Sequence, residues 1–471
     1  MTTRVKTRFA PSPSGFLHMG NARIALFCVL LARHARGVFL LRIEDTDRER
    51  CETRYAAAIE DDLRWLGLDW QEGPRVGGAH APYVQSERTA IYQEYFERLE
   101  TDGLIYPCFC STQELALSRK AQINAGQPPR YAGTCAALTQ EQIRSKLAQG
   151  ELPTLRFRVP RGKQVEFDDL VRGPQSFASN DIGDFIIRRA DGTAAFFFSN
   201  ALDDALMGVT HVLRGEDHLT NTPRQILLLH ALRLAVPHYG HLSLIVGADG
   251  APLSKRHGSR SVRELRDSGY FAVAVANYLA RLGHHYDIDA LLDLDALAAG
   301  FHTDKLGRSP VRFDPVQLQH WQQEAIAHAS ADALWRWMGE EVHALVPEPQ
   351  QQDFIDAVRP NIGLPPHALL WARIIYHDPL ELSLTARGVI EQTGRPFFEH
   401  AQHALEQHPQ DFKALAQMLK TATGANGKAL YQPLRAALTG ELDGPEMVRL
   451  LPLMGAERAR NRLEAALIIK R

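Results

Sequence analysis

Apolar positions recur along this chain at two periods, and each predicts its own kind of element. After Met19, the residues Ile24, Phe27, Leu30, Leu31 and His34 fall on one face of a 3.6-residue repeat, which predicts an amphipathic helix ending at Gly37. The continuous run VFLLRI, Val38 to Ile43, predicts a buried strand whose carboxyl end delivers Glu44 and Asp45. From about Pro107 to Asp191 the strand–helix rhythm breaks into Gly- and Pro-punctuated segments with short strands such as TLRFRVP and VEFDDLV, so this stretch predicts an insertion. The rhythm resumes with AAFFFSNALDDALMG and the apolar run Leu242 to Gly247. From Ser261 helices dominate: FAVAVANYLARLG carries an apolar stripe ended by Gly283, and DFKALAQMLKTATG runs from a capping Asp411 to a stop at Gly424. Alternating strand patterns are scarce after Ser309.

Composition bounds this picture. A chain of 471 residues exceeds what one core organises, and its 45% hydrophobic content supplies more than one. Lys and Arg number 53 against 55 Asp and Glu, a net charge of −2, so a nucleic-acid partner would have to meet a segregated basic face. Five cysteines in so long a chain do not make a disulfide framework and point to thiols or a metal site. The start, MTTRVKTRFAPS, lacks the apolar core of a secretion signal, and no apolar run reaches the ~20 residues of a membrane span, so a cytoplasmic protein without a membrane partner is expected.

Two polar segments carry candidate chemistry. RFAPSPSGFLHMGNAR, Arg8 to Arg23, reads as strand, loop and helix. A helix N-terminus presents unpaired N–H groups and partial positive charge, so a loop carrying Gly15, His18 and Gly20 suits a polyphosphate. Downstream, Leu253 to Gly258 (LSKRHG) places two cations and a hydroxyl in a short loop. Alone, the first is a turn before a helix and the second a solvated basic loop. As a pair, HMGN and PLSKR resemble the two nucleotide motifs of class I aminoacyl-tRNA synthetases, "HIGH" and "KMSKS".

Within that class, RFAPSPSG, LLRIEDTD (Leu40 to Asp47), DDALMGVTHVLRGEDHLTNTPRQ (residues 203–225) and GRSPVRFDP (residues 307–315) are similar to bacterial-type glutamyl-tRNA synthetases. The motifs run from Arg4 to about Leu318, and a looser helical likeness continues to Arg471. The resemblance implies an α/β fold: a Rossmann-like catalytic domain with an α+β insertion, followed by an all-α anticodon-binding region. It divides the chain into the first catalytic half (residues 1–106), an insertion for the tRNA acceptor end with a zinc site (107–191), the second catalytic half with the SKR loop (192–260), a stem-contact domain (261–328) and a helical anticodon-binding domain (329–471). The implied reaction is ATP-dependent activation of L-glutamate to glutamyl-adenylate, then transfer to the 3′ end of tRNA-Glu, with activation requiring bound tRNA. Magnesium is implied with ATP, and a monomer is expected.

The resemblance also implies roles. His18, Gly20, Ser254, Lys255 and Arg256 would hold ATP. Arg8 and Arg214 would be the two substrate arginines, for which planar guanidinium suits carboxylate. Glu44 would meet the ammonium, with Ala10, Ser12, Phe196 and Asn200 around it. Pro252 stands where the family normally has a cation, and Phe196 where it commonly has Tyr, which removes about one hydrogen bond. Cys108, Cys110, Tyr131 and Cys135 match a CxC/YxxxC zinc pattern, with a metal-free remnant as the alternative. Other readings are a ligase that also charges tRNA-Gln, a glutaminyl-tRNA synthetase, a truncated tRNA-modifying relative and a silent tRNA-binding protein. Arg214 and the helical C-terminal pattern oppose the second, chain length the third, and the intact His18, Lys255, Glu44 and Arg214 the fourth. Of Lys413, Lys420, Lys428, Arg435, Arg449, Arg458, Arg460 and Arg462, some are expected to meet RNA and half or more to be solvated helix faces.

Overall fold

In the computed structural model, which describes residues 4–47, 49–251 and 260–469, the strands in chain order are β1 (Lys6–Phe9), β2 (Val38–Leu41), β3 (Ile105–Cys108), β4 (Thr154–Phe157), β5 (Gln164–Asp169), β6 (Gly173–Ala178), β7 (Phe185–Arg188), β8 (His211–Gly215), β9 (His238–Leu242), β10 (Ile245–Val246) and β11 (Val311–Arg312). The apolar run at Val38 pairs in parallel with β1, and β1, β8 and β9 continue the parallel sheet in the order β2-β1-β8-β9. Between β2 and β8 the chain builds separate antiparallel pairings, β3-β4-β7 and the hairpin β5-β6.

The helix after β1 spans Met19–His34 and differs from the one-sided helix its periodicity predicts. Met19, Ala22, Arg23, Ala25, Leu26, Phe27, Cys28, Val29, Leu30 and Ala32 are buried, whereas Ile24 and Leu31 are half-buried and His34 is exposed. The reason is a second layer. The helix packs on β1, β2 and β8 and also against the Leu294–Ala299 helix, with Phe27 meeting Phe301 at 5.3 Å between ring centroids. A helix covered on both sides is apolar nearly all round, so periodicity alone misplaces its solvent face. Gly37 follows, where a Cβ would lie 2.2 Å from the Val5 carbonyl oxygen, so glycine permits the return into β2. Cys51 lies in the irregular segment just before the Thr53–Trp65 helix.

Packing separates two units, Met1–Leu265 with Val275–Pro315, and Arg266–Ala274 with Val316–Arg471. The second is helical around a core that includes Phe354, Trp371, Phe398, Leu415, Leu434, Leu450 and Leu463. Asp411 caps its Phe412–Thr423 helix by accepting from the Ala414 N–H at 3.0 Å, and Gly424 ends it in the left-handed conformation at φ 71°. Among the described residues no helix is long and apolar enough to cross a membrane.

Candidate active site

In an open parallel sheet, ligands sit beyond the carboxyl ends of the strands where the connections diverge. Here β1 leads to β2 on one side and borders β8 on the other, so the crevice lies above β1 and β8. Arg8 is the penultimate residue of β1, Arg214 the penultimate residue of β8, and Glu44 lies just past β2. The Phe196–Leu206 helix contributes Asn200 from across the crevice.

These side chains form a desolvated charge network. Arg8 reaches both oxygens of Asp204 at 3.1 and 3.2 Å. Arg42 meets Asp204 at 2.8 Å and Glu44 at 3.0 Å through the same nitrogen, and Asn200 Nδ2 donates to Glu44 at 2.6 Å. Gln225 in turn donates to Asn200 Oδ1 at 2.8 Å. Burial pushes the Glu44 carboxyl upward, opposed by the charges of Arg42 and Arg8. Asp204 is instead held below the usual carboxylate value: burial works against its charge, and Arg8 and Arg42 overcome that. Neighbouring Asp203 accepts from Arg88, Tyr92 and Gln85 at 2.7, 2.7 and 2.8 Å, fixing the same helix from its other side.

Arg8 therefore grips a protein carboxylate before any substrate arrives. Arg42 and Asp204 were not singled out from the sequence, although a charge inside an apolar strand run and paired acids inside an apolar helix both require buried partners.

Arg214 is held differently. Its Nε donates to His241 Nε2 at 3.1 Å and its Nη2 to Thr222 Oγ1 at 2.7 Å, while Nη1 is buried with no partner. The guanidinium lies over the Tyr239 ring, 5.0 Å from its centroid, and makes no ion pair among the described residues. Burial lowers its pKa to about 10, so it remains a cation at neutral pH. The result is a positive charge held ready for an anion.

His18 sits at the N-terminus of the Met19–His34 helix with its side chain open to solvent, and its Nδ1 accepts from the Asn21 N–H at 3.4 Å. That leaves Nε2 as the proton-bearing nitrogen of the neutral ring. Desolvation by the surrounding protein shifts His18 below the ordinary histidine value. A Cβ at Gly20 would stand 3.2 Å from the His18 ring, whereas one at Gly15 would meet open space. Ser254, Lys255 and Arg256, with Pro252, lie outside the described residues. The chain that follows them returns to this site: Ser261 bridges His18 and the Val262 N–H donates to the Leu17 carbonyl at 2.8 Å. Arg263 also lies 5.3 Å from the ring centroid of Phe16.

Residues 4–320 match the family model of the class I tRNA synthetases (E and Q), catalytic domain, and residues 317–467 match that of an anticodon binding domain. The chain is 61% identical over 462 residues to Glutamate–tRNA ligase 2 of Nitrosococcus oceani, with 98% of each chain covered. It belongs to the glutamate–tRNA ligases. Glutamate–tRNA ligase 1 of Halorhodospira halophila is 55% identical, with 98% of this chain and 96% of that protein covered. A solved glutamate tRNA ligase from Elizabethkingia meningosepticum, in complex with its amino acid, is 27% identical with a TM-score of 0.88, over 99% of this chain and 100% of that one.

In this ligase Ala10 is half-buried and Ser12 exposed in the loop after β1. Phe196 opens its helix and packs on His218 with 5.4 Å between centroids. It lines a cavity of about 1290 Å³ that also includes Cys110, Tyr131, Arg189 and Arg224. Beside that cavity the sulfurs of Cys108, Cys110 and Cys135 lie within 4.8 Å of one another. Cys110 and Cys135 are 3.6 Å apart, and the Tyr131 oxygen is 3.4 Å from Cys108 and 3.5 Å from Cys110. The edges of a tetrahedral zinc site are about 3.5–3.8 Å when metal–sulfur bonds are about 2.3 Å, so the donor set has the right spacing. Burial opposes ionisation of Cys108, but donors from Tyr131 and Arg156 outweigh it and lower its pKa.

The C-terminal cations are not equivalent. Arg462 is buried, donating to the Leu438 carbonyl at 2.7 Å, the His377 carbonyl at 3.0 Å and Asp378 at 3.2 Å. Arg458 shares Asp378 at 2.7 Å. Both are engaged in helix packing.

Proposed function

We propose that this ligase activates L-glutamate with ATP and transfers it to tRNA-Glu, in the cytoplasm and as a monomer. The observation that carries the substrate assignment is Arg214, a buried cation with an unpartnered Nη1 and no acidic partner among the described residues. An anionic side chain compensates it, whereas a neutral amide does not. Arg8 and Glu44, with Ala10, Ser12, Phe196 and Asn200, then surround the α-carboxylate and ammonium.

In the first step a substrate α-carboxylate oxygen attacks the α-phosphorus of ATP, and the bond to pyrophosphate breaks. His18 at the helix N-terminus, Gly20 beneath its ring, and Ser254, Lys255 and Arg256 from the following loop are proposed to bind the phosphates and stabilise the spreading charge. In the second step a ribose hydroxyl at the tRNA 3′ end attacks the acyl carbon and AMP leaves. Magnesium would accompany the ATP phosphates. Cys108, Cys110, Cys135 and Tyr131 are proposed to hold one zinc ion, which would tie β3 to the following loop. The five-part division given by the resemblance remains our reading of which segments meet the acceptor end, the stem and the anticodon.

Charging purified tRNA-Glu and tRNA-Gln side by side with glutamate tests the assignment. Glutamate on tRNA-Glu alone is the expected outcome. Charging of tRNA-Gln as well would make the enzyme non-discriminating, and glutamine as the preferred amino acid would overturn the reading.

A further inference from the structure

The guanidinium of Arg214 is held from behind by a chain of buried side chains. His241, fully buried on β9, stands opposite Arg214 in the parallel register of β8 and β9. Its Nδ1 lies 2.5 Å from Asp169 Oδ2, and its Nε2 lies 3.1 Å from Arg214 Nε. Asp169 ends β5 and is itself fixed. Its Oδ1 accepts from the backbone N–H groups of Val171, Arg172 and His241 at 2.9, 2.8 and 3.1 Å.

Thr222 Oγ1 also lies 3.0 Å from Nε2 and, while accepting from Arg214 Nη2, can turn its own O–H toward that nitrogen, so the proton inventory favours one arrangement. The Asp169 carboxylate can only accept, so Nδ1 of His241 carries the proton. Arg214 can only donate, so Nε2 must offer its lone pair. The neutral Nδ1–H tautomer satisfies both, whereas an imidazolium would set a cation against Arg214. Burial lowers the His241 pKa in the same direction. With Nε engaged by His241 and Nη2 by Thr222, the guanidinium cannot rotate, and its free Nη1 keeps one direction.

We propose that His241, locked in one tautomer by Asp169, is a positioning residue that aims Arg214 at the side-chain carboxylate of glutamate. The proposal rests on the reading of Arg214 given above. It adds a device outside the substrate contacts: the hairpin end at Asp169, in the segment between the catalytic halves, sets the direction of the specificity arginine.

The test is a double-mutant cycle in the full-length enzyme, measured as tRNA-dependent pyrophosphate exchange with glutamate varied. Asp169→Asn preserves size and the backbone acceptor, but its amide donates to Nδ1 and so transfers the proton to Nε2, where it opposes the Arg214 N–H. The glutamate KM should rise about tenfold to a hundredfold, as for a lost hydrogen bond to a charged group, while kcat and the ATP KM stay within about threefold. His241→Gln offers an acceptor near Nε2 and has no tautomer. In that background, Asp169→Asn should have little further effect on the glutamate KM. Equal Asp169→Asn penalties in both backgrounds would show a merely structural Asp169 and overturn the proposal. So would an unchanged glutamate KM in Asp169→Asn.

Arg214→Ala separates the two readings. If it also leaves the glutamate KM unchanged, the substrate assignment falls with the relay; if it alone raises the KM, only the relay falls. Should His241→Gln fail to fold, nitrogen NMR of labelled histidine in the parent enzyme reads the tautomer directly. A protonated Nδ1 with a bare Nε2 on His241 is expected, and the reverse would overturn the relay.

Discussion

Replacing Arg214 by Ala probes the substrate assignment most directly, and the structure gives its size. The guanidinium is 5% exposed, has no ion pair among the described residues and keeps Nη1 unpartnered. On the proposed assignment, the side-chain carboxylate of bound glutamate becomes its charge partner. Truncating one side of such a pair leaves a buried anion uncompensated, at a cost of about 3–5 kcal/mol, or roughly 150-fold to several thousandfold in kcat/KM. Because the side-chain carboxylate is remote from the reacting α-carboxylate, most of the loss should appear in the glutamate KM, with the ATP KM little changed. Stability should move differently. Burial lowers the pKa to about 10, so the free protein holds this charge at a cost on the order of 3 kcal/mol. Loss of its bonds to His241 and Thr222 offsets that gain, so the informative reading is that glutamate should raise the melting temperature of the parent far more than that of the variant. Pyrophosphate exchange and thermal melts check both statements. Glutamate charging within a few-fold of the parent would refute the reasoning.

Lys255→Ala should depress adenylate formation far more than tRNA affinity, because its charge is needed where phosphate charge develops; equal losses in exchange assays and binding titrations would make it an RNA contact. Metal analysis of enzyme purified without added zinc or chelator should give one zinc per chain, and a ratio near zero with Cys108, Cys110 and Cys135 freely titratable in the folded protein would leave the motif a remnant. Arg462→Ala should destabilise the helical unit by about 3 kcal/mol, read from urea melts, because two carbonyls and Asp378 lose a buried donor. Arg458 and Arg462 outweigh burial and hold Asp378 below the usual carboxylate value, so its contribution should be complete above the ordinary Asp pKa and vanish as the pH falls through the lowered one. Asp378→Asn should remove that acid dependence in melts followed from pH 7 downwards.

What was legible in the sequence follows the locality of each constraint. The loop and helix start from Arg8 to Arg23 could be read because a helix cap and a glycine-bearing turn impose residue types on adjacent positions. The thiol cluster was legible for the same reason, since Cys108 and Cys110 stand two positions apart and Tyr131 and Cys135 four. The charge network was not. Arg8 and Asp204 lie 196 positions apart, and no local pattern tells which buried acid a buried arginine will meet. Arg462 was hidden by the opposite effect: a cation on a polar-looking helix reads as solvated, but His377 and Leu438 present carbonyls that draw it inward. The periodicity of Met19–His34 misplaced the exposed side because a second covering layer leaves no signature in the first layer's sequence.

The way charges are shared in the crevice also determines how glutamine should be refused. Arg8 and Arg42 divide Asp204 and Glu44 between them, two cations for two anions, so that part of the network is balanced without substrate. Arg214 has no acidic partner among the described residues, and on the proposed assignment a ligand bringing its own anion relieves it. Glutamine has nearly the same shape but offers a neutral amide, whose N–H₂ would face a donor-only guanidinium if turned the wrong way and whose oxygen carries no full charge if turned the right way. Discrimination should thus come from desolvated charge and not from volume, and a difference of about 3 kcal/mol corresponds to roughly two orders of magnitude. Glutamine should compete with glutamate in pyrophosphate exchange at least about a hundredfold more weakly, and Arg214→Ala should erase most of that gap by weakening glutamate. A gap that survives the substitution would place the selectivity in pocket shape and remove Arg214 from its role.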